Sequence, residues 1–396
     1  MVRESRINRM DPGKERRKGR ISRRRFIRDV SAGAAGIALA STFPGLARSQ
    51  LRGPKNSKVV IARHPESALD LYNFDQSIVG ELVQSAITEF TGQEAPGLAW
   101  AQIFPDLATD SIVGIKINCF NTNNCCSHQE VAYAVAEGLA SIPVEGGPFL
   151  RNNVIIWDCS DTHLTSRGGY TIYDGSDPDR VRCFGTTHSG YGYDYDAEFQ
   201  VQGKTVAPSS LLTTHCHYLI NLGVLKDHSM AGVTLGMKNH LGSINAPGNC
   251  HSFYNDVPEL NTELRSRFPD ASGFPKEKIV IIDALAGVAN GGPTGVPTFT
   301  YGGIILGTDI VAVDYQSRSV LQANGWDGSP VATYVENADN TYGLGTANPT
   351  EMDVVMHNPI APATREHVDR MIRFHKEGLA TALQVEWAVN RYARGK

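Results

Sequence analysis

The sequence predicts an α/β fold in which a mostly parallel sheet carries flanking helices and a smaller antiparallel insertion. Short runs rich in Val and Ile, at 58–62, 153–158 and 278–283, have the composition of buried strands. Amphipathic segments at 78–90 and 129–141 alternate with such runs, which is typical of parallel strands connected by helices. Parallel strands are buried on both faces, and these runs are accordingly almost continuously apolar.

The rest of the chain after residue 49 continues this alternation, with one interruption. Further strands are predicted at 111–118, 217–222 and 303–306, and a further helix at 310–324. Between about 160 and 208 the chain becomes rich in Gly, Tyr, Asp and Thr with short alternating runs, which favours an antiparallel insertion. Residues 365–394 have the pattern of two helices with a break near Gly378. We therefore expect one domain over 50–396.

The first 49 residues have the layout of a twin-arginine export signal. A basic run at 22–28 (SRRRFIR) precedes a mildly apolar stretch at 30–46, and small residues close it at Ala47-Arg48-Ser49. This order predicts the twin-arginine translocation machinery as a partner and a periplasmic or extracellular location. A basic tail and a membrane anchor are the alternatives, but the stretch is short and Gly-rich for a membrane span.

Residues 50–396 are acidic, with 24 Lys and Arg against 37 Asp and Glu and a formal charge of −13. Such a body repels phosphate backbones, so no nucleic-acid partner is expected. Nor is any later segment long and apolar enough to predict a transmembrane span. The seven cysteines are scattered and include no Cys-x-x-Cys pair, so neither an iron–sulfur cluster nor a haem is expected.

Histidines are concentrated between residues 215 and 251, where five of the twelve fall within 37 residues. Imidazole is a common metal ligand and titrates near neutrality, so the cluster indicates metal binding, proton transfer or both. We predict His217, His240 and His251 as metal ligands and His228 as a catalytic residue. The cofactor is not determined by the sequence, but a transition metal (nickel, iron or zinc) fits these ligands.

Lys238 lies in an apolar, glycine-rich segment at 232–242 (GVTLGMKNHLG). A lysine buried in such surroundings is costly without a partner. It is therefore either paired with a carboxylate or used as a cation, base or covalent attachment point. We predict Lys238, with His228 and Asn239, as catalytic, Asn239 orienting a carbonyl or carboxylate.

Polar residues at predicted strand ends suggest the opposite wall of a pocket. Lys116, Asn118, Asp158 and Asp283 close three strands, and ligands of open parallel sheets bind beyond such ends. Together with Lys226 they are predicted to bind substrate or cofactor. Polar residues at strand ends also cap helices, and that alternative stays open for each of them.

Several segments resemble the domain-of-unknown-function family number 362. They are IKIN at 115–118, LKDH at 225–228, GVTLGMKNHLGSI at 232–244, IIDALAGVANGGPTG at 281–295 and TDIVAVD at 308–314. The resemblance spans roughly 58–320. Members often carry twin-arginine leaders, and some contain a ferredoxin module that this chain lacks. The family implies no particular reaction.

A shorter stretch is similar to the nickel-pincer lactate racemase family. The match consists of His228, Lys238 ten positions later and His251 beyond. The resemblance implies proton or hydride chemistry at the first histidine, a nickel-carrying nicotinate derivative on the lysine and nickel binding by the later histidine. This chain has Met237 where that family favours arginine, and it lacks the family's earlier His-Thr-Arg motif.

These observations favour an exported soluble enzyme of oxidoreductase or isomerase type, dependent on a metal or cofactor, that acts on a small polar or anionic substrate. The alternative is a periplasmic protein that binds or delivers a metal or ligand without catalysis, and an inactive scaffold is a third. Lys238 buried beside His228 would favour the enzyme, whereas histidines spread over the surface would favour the carrier.

Overall fold

The computed structural model describes residues 56–120, 125–358 and 364–394, so the predicted leader lies outside the described residues. The strands are β1 (Ser57–Arg63), β2 (Val113–Lys116), β3 (Pro143–Val144), β4 (Gly147–Pro148), β5 (Val154–Trp157), β6 (Arg182–Cys183), β7 (Phe199–Val201), β8 (Lys204–Val206), β9 (Tyr218–His228), β10 (Gly232–Val233), β11 (Glu277–Val288), β12 (Phe299–Gly307) and β13 (Met352–His357). The helices are α1 (Gln76–Thr91), α2 (Pro96–Ile103), α3 (Gln129–Ala140), α4 (Gly236–Asn239), α5 (Phe253–Arg267), α6 (Ile310–Ala323), α7 (Tyr334–Asn340), α8 (Arg365–Lys376) and α9 (Ala382–Arg394).

The predicted fold class is confirmed: the strands form a mostly parallel sheet between helices. Its order is β13-β1-β12-β11-β9-β2-β5-β6, and β10 pairs with the end of β9. Only β12 and β10 run against their neighbours in this sheet, β12 against β1 and β11 and β10 against β9. The carboxyl ends of β2, β5, β9 and β11 therefore lie along one edge.

Helices cover both faces of the sheet because successive strand residues point to opposite sides. In β1, Val60 and Ala62 pack into a core with α1, α2 and α3, whereas Val59 and Ile61 pack into a second core with α5, α6 and α7. All four side chains are nearly or fully buried. The sheet is therefore the middle of three layers.

The segment between residues 160 and 208 contains both kinds of pairing. β7 and β8 form a small antiparallel sheet, while β6 joins the main sheet parallel to β5. Near the C-terminus, Gly378 separates α8 from α9 with a φ of 70°, a left-handed conformation that suits glycine. Among the described residues, no helix combines the length and apolar character needed to cross a membrane.

Candidate active site

One cavity, with a volume of about 340 Å³, contains most of the residues predicted for the site. It lies where β2, β5 and β9 end, at the sheet edge where open α/β proteins bind ligands. Eight predicted residues line it: Lys116, Asn118, Asp158, Lys226, His228, Lys238, Asn239 and His251. The structure thus brings together residues that are up to 135 positions apart in the sequence.

Asn239 lies in a buried network that uses all of its hydrogen-bonding groups. Its Nδ2 donates to Lys116 O at 3.1 Å and to Asn221 Oδ1 at 2.9 Å. Its Oδ1 accepts from Lys116 Nζ at 3.2 Å and from Asn118 Nδ2 at 3.3 Å. An asparagine side chain offers two donors and two lone pairs. Asn239 therefore orders the wall of the cavity, and it leaves no amide group free to orient a substrate as predicted.

Lys116 is likewise saturated by protein groups. Its Nζ donates to Ile117 O at 2.6 Å, Asp158 Oδ1 at 2.9 Å and Asn239 Oδ1 at 3.2 Å. An ammonium group has three donors, so none is left for a ligand. Among the described residues that line the cavity, Asp158 is the only carboxylate, and Lys116 neutralises it.

Among the described residues, Lys226 has hydrogen-bond acceptors for two of its three donors. It is fully buried, and its Nζ donates to Asn118 Oδ1 at 3.0 Å and to Cys125 O at 3.2 Å. The neighbouring Asp227 does not pair with it, because that carboxylate accepts hydrogen bonds from Gly291 N at 3.2 Å and Gly292 N at 2.6 Å. In the described part of the chain, Lys226 has no salt-bridge partner.

Lys238 lies in a turn that is held by a side chain of α6. Asp314 of α6 accepts from Gly236 N at 2.8 Å and Met237 N at 3.0 Å, the first two residues of α4. The preceding Leu235 has a φ of 54°, a conformation that costs a branched side chain free energy and that persists only under surrounding constraint. These constraints therefore fix the backbone position of Lys238.

The Lys238 ammonium lies 4.3 Å from the centroid of the Phe253 ring, a cation–π contact. The side chain is only 5 % exposed. Among the described residues it has neither a hydrogen-bond acceptor nor a carboxylate partner. Burial, and then the charge of Lys226, hold the pKa of Lys238 well below its usual range.

His228 is a neutral hydrogen-bond donor. Its Nδ1 accepts from Met230 N at 3.1 Å and Ala231 N at 3.2 Å, so the ring proton of the neutral form resides on Nε2. Burial, and then the charges of Lys238, His251 and Lys226, lower the pKa of His228 to about 3. The imidazole therefore stays uncharged near neutrality and can donate through Nε2–H to a ligand oxygen.

His251 has the opposite arrangement. Its Nδ1 donates to Pro247 O at 3.0 Å, so in the neutral form of the ring the lone pair is on Nε2. The rings of His251 and His228 lie 5.0 and 5.3 Å from that of Phe253, on which Lys238 also rests. Phe253 thus holds an imidazole donor, an imidazole acceptor and an ammonium around one aromatic ring.

Two further residues, Cys159 and His163, line the cavity but were not predicted from the sequence. Cys159 Sγ lies 2.8 Å from His163 Nδ1, one turn after β5. Burial and then the charge of Asp158 raise the pKa of Cys159 to about 12, and burial lowers the pKa of His163. The thiol therefore donates to the imidazole. The available signal was a Cys and a His four positions apart directly after Asp158.

Three predicted site residues lie outside this cavity. Asp283 accepts from His128 N at 2.6 Å and His128 Nδ1 at 2.8 Å, so it caps the start of α3. His217 precedes β9 at its amino end, where its Nδ1 accepts from Ile112 N at 2.8 Å. His240 is buried and its Nε2 is 2.6 Å from Glu277 Oε2. The structure thus does not place His217 and His240 with His251 as one ligand set.

The fold and the cavity define an open α/β protein with a cationic site at the carboxyl edge of its sheet. A family model described as Domain of unknown function (DUF362) matches residues 113–317, just over half of the chain. The chain belongs to this family, and the matched segment contains the cavity residues from Lys116 to His251. No curated protein and no solved structure matches the chain.

Proposed function

We propose that this chain is an exported enzyme of oxidoreductase or isomerase type that acts on a small anionic substrate, held by Lys226 and Lys238. One observation carries the proposal. Two buried ammonium groups share a cavity with a neutral histidine, and no carboxylate of the described residues pairs with either ammonium.

The charge balance of the cavity supports an anionic ligand. Lys116 and Asp158 cancel, so Lys226 and Lys238 give the lining residues an excess of two positive charges. Burying unpaired charge is expensive, and a bound carboxylate or phosphate would offset that cost. Because residues 50–396 are acidic as a whole, the cavity would be a local attractive site on a protein that otherwise repels anions.

The two histidines supply complementary groups for proton chemistry. His228 would donate from Nε2–H to a substrate oxygen and stabilise negative charge that develops there. His251 would accept a proton at Nε2. Lys238, with its lowered pKa, would be the second proton carrier. Removal of a proton on one side of a carbon and return on the other is isomerase chemistry, and transfer of hydride instead would be oxidoreductase chemistry.

A metal or organic cofactor remains part of the proposal. His251 fits a ligand through Nε2, and Lys238 fits a covalent attachment point because its lowered pKa makes the nucleophilic amine form easier to reach. A nickel-carrying nicotinate derivative there would supply a hydride acceptor. Peptide mass spectrometry of protein purified from its own host tests the covalent attachment, since an unmodified Lys238 peptide in active protein would exclude it.

The rival function is a carrier that binds a metal or ligand without changing it. Burial of Lys238 and its electrostatic contact with His228 favour the enzyme, because closed sites with strongly shifted pKa values are typical of catalysis. A carrier would bind its ligand and return it unchanged. Incubation of candidate carboxylates in D₂O, followed by NMR of their C–H signals, distinguishes the two functions.

The binding test uses calorimetry with a panel of small carboxylates, dicarboxylates and inorganic phosphate. Lys226→Met and Lys238→Met are expected to weaken binding at least tenfold each, because each removes a charged hydrogen bond. Lys276→Met is the matched control. That lysine is partly buried and forms no salt bridge with a described carboxylate, but it donates to Leu212 O and Thr213 O and lies outside the cavity.

An unchanged affinity in both cavity variants, or an equal loss in Lys276→Met, would contradict the proposal. Failure of every anion to bind would do so as well.

A further inference from the structure

We propose that Asp158, Cys159 and His163 form a binding site for one transition-metal ion at the end of β5. Binding of the ion depends on neither Lys226 nor Lys238, and only the role of the metal toward an anion rests on the proposed function. The proposal assigns the metal to residues other than the histidines predicted from the sequence. The donor set is one sulfur, one imidazole nitrogen and one carboxylate oxygen, which suits zinc, cobalt or nickel better than magnesium or calcium.

The geometry already brings the three donors together. One ligand atom from each residue lies within 4.8 Å of the other two. Cys159 Sγ and His163 Nδ1 lie 2.8 Å apart. Around a tetrahedral ion, with bonds of about 2.3 Å to sulfur and about 2.1 Å to nitrogen, these atoms would stand roughly 3.5 Å apart. The two atoms would therefore have to move apart by less than about 1 Å to accommodate the ion. The thiol proton passes to solvent as the thiolate binds.

Three hydrogen bonds from protein groups hold the Asp158 carboxylate in place. Asp158 Oδ1 accepts from Lys116 Nζ at 2.9 Å and from Cys159 N at 2.8 Å, and Oδ2 accepts from Cys119 N at 2.7 Å. A carboxylate has about four lone-pair positions, so these bonds leave one on Oδ2. Such outer hydrogen bonds are typical of metal-binding carboxylates.

His163 is also held in place. Its backbone N–H donates to Ser160 Oγ at 3.2 Å, and its ring contacts the Phe120 ring edge-on at 6.2 Å between centroids. Cys159 and His163 follow β5 within one turn, so the strand and the turn set their spacing. The three side chains thus form a small, ordered cluster rather than a chance approach of mobile groups.

All three residues line the cavity, so a metal held by them would keep a coordination position open toward a bound molecule. Three protein ligands with one open position is the arrangement of catalytic zinc sites. The ion would add positive charge beside Lys116, and the Cys159 thiolate and an anionic ligand would balance it. The metal would then polarise an oxygen of the same anion that Lys226 and Lys238 attract.

Cobalt(II) added to the metal-free full chain tests the site. Binding through a thiolate produces a sulfur-to-cobalt charge-transfer absorption in the near ultraviolet, and we expect one such site per chain. Cys159→Ser should remove this absorption, and His163→Ala should weaken cobalt binding at least tenfold. Cys250→Ser and His251→Ala are the matched controls, because they remove a thiol and an imidazole from a different part of the chain near the same cavity.

Absence of the absorption in the unmodified chain would overturn the proposal, and so would its persistence in Cys159→Ser. Loss of the absorption in His251→Ala would also overturn it, because the ion would then lie on the other wall. Circular dichroism of each variant checks the fold, and His163→Gln replaces any variant that does not fold. Anion calorimetry on Cys159→Ser separates this site from the proposed function, since Lys226 and Lys238 remain intact there.

Discussion

Lys116 Nζ lies 2.9 Å from Asp158 Oδ1 in the wall of the cavity, and both side chains are buried. Gly242 packs directly against this ion pair. A Cβ atom at Gly242 would come within 2.9 Å of Lys116 Nζ and 3.0 Å of Asp158 Oδ1. The pair therefore has its present geometry only because residue 242 has no side chain.

Replacement of Gly242 by alanine should disturb this ion pair. The Lys116 ammonium is anchored by three acceptors and cannot move aside without losing one of them. We expect a loss of about 1–3 kcal/mol in the free energy of unfolding, which is typical of overpacking. Urea denaturation measures it.

Gly248→Ala is the control for that variant. Gly248 directly follows the cavity-lining residue Pro247, but a Cβ atom at Gly248 meets nothing within 4 Å. Its stability should match that of the unmodified chain within about 0.5 kcal/mol. Equal denaturation midpoints for Gly242→Ala and the unmodified chain would show that the ion pair tolerates the added methyl group.

Asp314→Asn should displace the turn that carries Lys238. Each Asp314 oxygen accepts one backbone N–H, so an amide would set an NH₂ group against a donor. We expect a loss of about 1–3 kcal/mol in the free energy of unfolding and weaker anion binding although Lys238 is unchanged. Denaturation and calorimetry on the same variant report the two effects.

Asp75→Asn provides the comparison for Asp314→Asn. Asp75 caps α1 through one oxygen, Oδ1, which accepts from Ser77 N and Ile78 N. Asparagine caps helices about as well as aspartate, so anion binding should not change. If Asp314→Asn binds anions as tightly as Asp75→Asn does, then Asp314 does not position Lys238.

The pKa values of His228 and His128 should be shifted in opposite directions from the usual value of histidine. The pKa of His228 is lowered to about 3. For His128, burial lowers the pKa, but the charge and hydrogen bond of Asp283 outweigh it and raise the value above 6.5. Nitrogen-15 NMR should show His228 neutral, with Nδ1 unprotonated, throughout pH 5–8. An imidazolium signal for His228 at pH 6 would contradict the assigned surroundings.

The lowered pKa of His228 also makes stability depend on pH. Its contribution is complete above about pH 6.5, where the unfolded side chain is neutral too. It is lost as the pH falls from 6.5 toward 3, because the unfolded chain gains a proton that the folded chain refuses. In His228→Gln, the free energy of unfolding should therefore depend less steeply on pH below about 6.5. In the unmodified chain, a bound anion should raise the pKa of His228, because the anion offsets the lysine charges.

The positions of strands that consist of a continuous apolar run could be predicted from the sequence. The direction of each strand relative to its neighbours could not. The apolar runs at 58–62 and 278–283 correspond to β1 and β11. β12 runs against both neighbours because a parallel connection needs a crossover of a dozen or more residues, and ten separate it from β11. β13 was not predicted, since this partly exposed edge strand lacks a continuous apolar run.

The same division applies to the histidines. His217 and His228 border the same strand, yet roughly 35 Å separates its two ends at about 3.3 Å per residue. Successive residues of a helical turn point in different directions, so Lys238 lines the cavity while His240 reaches Glu277. Closeness in the sequence therefore did not indicate which imidazoles share a cavity.

The fold class, the family and the kinds of group available for chemistry could all be predicted from the sequence, because hydrophobic period and residue type are local properties. The three-dimensional arrangement was needed to show that Lys116 pairs with Asp158, whereas no described carboxylate pairs with Lys226 or Lys238. It was also needed to show that Cys159 and His163 line the same cavity. Pairing and burial depend on which strand ends and turns meet in space. That meeting is set by long-range packing, which no single segment of the sequence encodes.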